Sequence, residues 1–236
     1  SAIPLAIGIA YATTDVVGAH SGAPPAPHDL WYAWNGDPWL LFGLMLTLCF
    51  YGRGIFNLWQ KAGIGRGVKR RQVGLFALGM LALAVALISP LDALSEALFS
   101  AHMVQHMLLL YVAPLLLVLG APPMLLLWAL PSPWRRPVMR WWRQRIGHHL
   151  WQRVRQPLAV WSLFGLVLWV WHAPFLYQAA LLSPALHVLE HLCFFGTSFL
   201  FCWLLVNTYH TAGHRAGYGT VLLMVFTTAL HSGLLG

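Results

Sequence analysis

Two pairs of histidines carry the chemistry this sequence offers: His102 and His106 in "SAHMVQHMLLLYVAPLLLVLG", and His187 and His191 in "LHVLEHL". Each pair is spaced i,i+4, so on a helix both rings share a face, with Cβ atoms ~5–6 Å apart, and one metal ion can use both. The first stretch is apolar enough to cross a membrane, where an imidazole costs free energy unless a hydrogen bond, a proton partner or a metal satisfies it. Met103 and Met107 follow the two histidines of the first pair and bring thioether sulfur nearby, although each points ~100° from its histidine, where core filling is the ordinary role. Imidazole with thioether suits copper(I), whereas imidazole with the carboxylate of Glu190 suits zinc or iron, so the donor types leave the metal open. His172 in "VWHAP" and His231 in "ALHSGLLG" complete a set of six histidines. A lone histidine in a span can equally be a hydrogen-bonded packing residue, and it is the repeated pairing that favours a metal or redox site.

The chain that must position these residues is 59% hydrophobic and 8% charged, against about 25% charged residues in a soluble domain. The expected fold is all-α, a polytopic transmembrane helix bundle. Runs at Trp39–Trp59, Val73–Ile88, Leu98–Leu119, Leu158 to about Tyr177, Leu186–Val206 and Tyr218–Leu235 each approach the ~20 residues a helix needs to cross ~30 Å of hydrocarbon. That gives six spans. The apolar piece Met124–Leu130 is too short to cross and reads as a surface elbow. All fourteen Lys and Arg fall at alternate ends of successive spans, which the positive-inside rule assigns to the cytoplasm. The six acidic residues map to the opposite side, so the N-terminus is expected outside.

In that frame His102, His106, His172, His187, His191 and His231 come from four helices and share one slab below the outer face. Asp92 and Glu96 stand at the outer start of the third span, where acidic residues suit a helix N-terminus or attract a cation toward the site. The net charge of +8 does not imply nucleic acid. Its densest part, at about 131–157, interleaves Arg and Trp as a cytoplasmic amphipathic segment does when it lies on anionic lipid headgroups. Residues 1–27 read as a processed, signal-like or exposed lead-in, and 28–236 as one transmembrane domain. The three cysteines lie inside spans and make neither a disulfide framework nor a Cys-x-x-Cys motif.

The segments "ISPLDALSEALFSAHMVQHMLLLYVAPLLLVLGAP", "WHAPFLYQAAL", "LHVLEHLCFFGTSFLFCWLL" and "ALHSGLLG" together resemble the CtaG family of cytochrome c oxidase assembly factors, from about His28 to the end. The resemblance implies a bacterial plasma-membrane protein that assists assembly of a heme-copper oxidase and is not itself an enzyme. It implies copper as the metal, a copper donor protein and an oxidase subunit as partners, the six histidines as motif residues, and Asp92 and Glu190 as acidic companions. A seventh span after "ALHSGLLG" is also expected in the family. Two other functions use the same residues. A heme-b-type electron carrier takes one histidine from each of two helices, but histidines one turn apart cannot serve separate macrocycles. A membrane metalloenzyme with iron or zinc would use Glu190, yet "HVLEH" lacks the His-Glu-x-x-His order. Because only neutral imidazole ligates, metal occupancy is expected to fall as pH drops through the ordinary histidine range, ~6.5; equilibrium dialysis against buffered copper(I) at stepped pH measures it.

Overall fold

The computed structural model describes residues 30–120, 122–141 and 157–211, together with Val225, Phe226 and Thr228, and all regular structure among the described residues is helical. After a short turn at Leu30–Tyr32, the helices are α1 (Pro38–Ala62), α2 (Arg70–Leu87), α3 (Pro90–Ala97), α4 (Phe99–Leu119), α5 (Pro122–Ala129), α6 (Ser132–Trp141), α7 (Pro157–Trp171), α8 (Pro174–Leu182) and α9 (Pro184–Thr211). Four of them, α1, α2, α4 and α9, are long and apolar enough to cross a membrane, and a fifth span results if the bent pair α7–α8 counts as one. The expected run at Tyr218–Leu235 lies outside the described residues apart from three positions.

Local chemistry sets most boundaries. Asp37 caps α1 by accepting from the Trp39 N–H at 2.8 Å, with Pro38 in the first helical position where its missing donor costs nothing. The α1–α2 connection turns through Gly63, Gly65 and Gly67 at φ of 91°, 79° and 78°, a region that strains residues with a Cβ. Ser89 accepts from the Leu91 N–H at the start of α3. The span read as Leu158–Tyr177 is broken: α7 and α8 meet at 69°. Pro174 is the cause, because it lacks an N–H and pushes Ala173 out of the helical region, to ψ 131°.

Helix α4 lies at the centre. Half of its apolar window is buried, against a third for α2 and α9 and 11% for α1, and it contributes to both apolar clusters. Leu109, Ala113 and Leu117 pack with Tyr51, Phe76, Met80 and Leu83 on the α1–α2 side, and Leu110 packs with Val160, Phe164, Leu168 and Phe194 on the α7–α9 side. The buried seam of α4 repeats every four residues, from Ala101 and His102 through Gln105 and His106, Leu109 and Leu110, Ala113 and Pro114, to Leu117 and Val118. In a straight α-helix such a seam drifts by about 40° per repeat. A π-turn at Leu108–Val112 takes up part of that drift, with the Ala113 N–H reaching back to the Leu108 carbonyl.

The piece expected as a surface elbow is α5, and it is packed instead along α1. Leu125 and Ala129 are buried, the Tyr51 hydroxyl donates to the Gly120 carbonyl at 2.9 Å, and Asn57 and Arg53 donate to the carbonyls of Trp128 and Ala129. Arg135 of α6 folds back to the carbonyls of Leu130 and Trp128 and covers the Trp128 ring. The last carbonyls of this short helix are thus satisfied by guanidinium and amide groups, which water would otherwise have to reach. The close approach depends on Gly54, where a Cβ would collide with the Leu125 carbonyl, whereas at Gly52 a Cβ meets nothing within 4 Å. Gly54→Ala is therefore expected to destabilise the protein by about 1–3 kcal/mol, while Gly52→Ala causes no loss; thermal unfolding in detergent compares the two.

Candidate functional site

The two histidine pairs face one another across the contact between α4 and α9. His102 and His106 occupy successive turns of α4 with ring centres 4.2 Å apart, and His187 and His191 do the same at the start of α9 at 4.3 Å. Across the gap His102 lies parallel to His187 at 5.9 Å, and His106 meets His191 edge-on at 5.5 Å. The four rings form two tiers. Tyr177 of α8 closes against His102 in the first tier, with ring centres 5.9 Å apart. In the second tier His172, at the α7–α8 break, reaches to 6.4 Å from His106, and the Glu190 carboxylate stands 4.0 Å from His106 Nε2. Phe194, fully buried, is the floor, with its ring 4.9 Å from His106 and 5.9 Å from His172.

Burial makes this arrangement chemically pointed. His102, His106 and Glu190 are 2%, 3% and 1% exposed. Among the described residues, no hydrogen-bond partner reaches His102 Nε2, His191 Nε2 or either ring nitrogen of His106. A buried nitrogen that truly lacks a partner costs about 1–3 kcal/mol, which a bound ion or water in the cluster would relieve. One donor atom from each of His102, His106 and Glu190 lies within 4.8 Å of the others. With metal–imidazole bonds of about 2.0–2.1 Å, that spacing fits a shared ion. His172 is oriented by the Leu168 carbonyl, an acceptor 2.8 Å from its Nδ1, so that in the neutral ring Nδ1 carries the hydrogen and Nε2 is the nitrogen open to a ligand.

Other expected residues take different places. Met107 is 52% exposed on the outer surface of α4, away from the rings, and Met103 is half-buried. Asp92 sits in the first turn of α3, where its two oxygens accept from the side-chain amides of Gln105, at 2.7 Å, and Asn35, at 2.8 Å. The Glu96 side chain and His231 lie outside what the structure describes. Three residues of the site were missed in the sequence. Tyr177 lies beyond the Pro174 break, which hides its relation to His102. Phe194 is one apolar residue among many. Gln105 gave a signal comparable to the histidines, a polar side chain in an apolar span: it is fully buried and donates to both Asp92 and the Ala86 carbonyl, tying α4 to α2 and α3.

Apolar helices of spanning length, packed around a buried centre of imidazoles and one carboxylate, define a multi-pass helical membrane protein with its polar chemistry inside the bundle. The family model described as cytochrome c oxidase caa3 assembly factor (Caa3_CtaG) matches residues 49–236. The chain belongs to this family of cytochrome c oxidase assembly factors, and the matched region includes every histidine of the cluster. Comparison with curated proteins and with solved structures gives no match. Because both Asp92 oxygens are held by amides, Asp92→Ala is expected to lower stability by about 1–3 kcal/mol; thermal unfolding in detergent checks it.

Proposed function

We propose that the protein takes up copper(I) as cargo in the histidine cluster and passes it to an apo-oxidase subunit in the same membrane. The observation that carries this reading is the grouping of one donor atom each from His102, His106 and Glu190 within 4.8 Å of one another, with the α9 rings of His187 and His191 facing them; among the described residues no hydrogen-bond partner reaches His102 Nε2, His191 Nε2 or the His106 nitrogens. His102, His106, His187 and His191 are the principal ligands, with His172 and Glu190 in the second tier and His231 as a further donor. Ligand exchange needs no change of oxidation state: an imidazole leaves copper(I) as a donor atom of the receiving subunit joins it. The assembly role of the family supports copper as cargo, because a heme-copper oxidase requires that metal.

The positive-inside pattern supports an orientation with the N-terminus outside; with six spans, this puts the cluster near the outer face of a bacterial plasma membrane, where a copper donor protein would deliver. The exposed Trp134, Arg136 and Trp141 of α6 then lie at the cytoplasmic interface, suited to anionic headgroups. The 4.2 Å and 4.3 Å separations of successive rings speak against heme, whose macrocycle needs open space beside each axial ligand.

Elemental analysis of the purified protein beside a variant with H102A, H106A, H187A and H191A tests the assignment. Copper in the native protein and its loss from the variant is the expected result. Equal metal in the two removes the cluster as the site, a Soret band points to heme, and zinc or iron with turnover points to an enzyme.

A further inference from the structure

The depth of one helix against its neighbour decides whether the two histidine pairs face each other, and one hydrogen bond is placed to set it. Pro114 in α4 has no N–H, so the Leu110 carbonyl lacks the donor that residue 114 would supply in an α-helix. The π-turn at Leu108–Val112 ends beside it, with the Ala113 N–H already committed to Leu108. The freed Leu110 carbonyl lies in an apolar cluster with Phe164, Leu168, Phe194 and Phe201, where an unpaired carbonyl is costly. It is satisfied from outside its own helix, because the Ser198 hydroxyl of α9, 1% exposed, donates to it. Ser198 lies on the buried stripe of α9 that also carries Glu190 and Phe194. It follows His191 by seven residues, or ~10 Å along the axis. Leu110 follows His106 by four residues. The contact joins the helices that hold the two pairs, below the cluster, at a point where sliding by one residue would break it.

We infer that Ser198 and the Pro114 π-turn form a register lock that holds the His102–His106 pair level with the His187–His191 pair. Ser198 is a positioning residue, since it touches none of the rings. The inference rests on the cluster being the copper site, but the lock can be read without copper.

In a full-length chain carrying H102C and H187C, with Cys49 and Cys193 changed to alanine and Cys202 to serine, which keeps a polar partner beside the Ser198 hydroxyl, the two introduced thiols report register when metal is kept away from them by a chelator. Bridging by a short bifunctional thiol reagent is expected to slow severalfold on adding S198A. It should stay near the starting rate with S198T, which keeps the hydroxyl. It should recover in S198A/P114A, where residue 114 again supplies an N–H to Leu110 and the hydroxyl is no longer needed. In the otherwise native chain, copper(I) affinity measured against a chelating dye should fall with S198A and recover in the same double variant. Unchanged bridging in S198A, or a double variant no better than S198A, overturns the lock. Bridging that follows the expected order in a protein whose native form binds no copper upholds the lock and overturns the copper reading.

Discussion

Hydrocarbon offers no hydrogen bonds, so every polar group that enters the bundle must be answered by the protein itself. Much of this structure is a set of answers. The Leu110 carbonyl freed by Pro114 is taken by Ser198, the terminal carbonyls of α5 by Arg53, Asn57 and Arg135, and the Gln105 amide by Asp92 and the Ala86 carbonyl. Against that background, among the described residues, ring nitrogens of His102, His106 and His191 lack a hydrogen-bond partner, as does the Gln105 Oε1. A single unpaired atom such as the Gln105 oxygen carries no argument, whereas several imidazoles in that state at one place favour a site over a packing arrangement.

Positions around the cluster divide into those that hold helices and those that face the rings. On one side of α4, Gln105 alternates with the histidines and binds the helix to α2 and α3 through Asp92 and Ala86. On the other, Ser198 binds it to α9. Neither enters the gap between the pairs. Phe194 fills the space beneath, and Tyr177 approaches from α8. The rings thus rest in a frame fixed on both sides and floored by an aromatic residue, which limits the rearrangement a bound ion would require.

The spans at α1, α2, α4 and α9 were legible because hydropathy over ~20 residues is a strong signal in a chain with so few charges. The i,i+4 pairs were legible because helical geometry converts spacing directly into a shared face. Counting residues along opposed helices brought His102, His106, His172, His187 and His191 together, and the rings of these five do lie near one another. What was not legible had a common cause. Met124–Leu130 was read by length alone, yet its place was decided by Gly54 on a distant helix, which lets the backbone of α5 approach. Of the two roles open to Asp92, the structure shows the helix N-terminus, in the first turn of α3, while its amide partners, Asn35 and Gln105, are 57 and 13 residues away. Contacts between helices of this kind leave no periodic trace in a single sequence.

The Leu168 carbonyl has one more effect on the cluster. By keeping a proton on Nδ1 of His172, it makes that ring a one-ended donor. An imidazole can link two ions only when both nitrogens are free of hydrogen, so His172 can terminate a set of ligands but cannot bridge one ion to another. If the cluster held two ions, a bridge between them in the second tier would therefore have to come from a group other than the His172 ring.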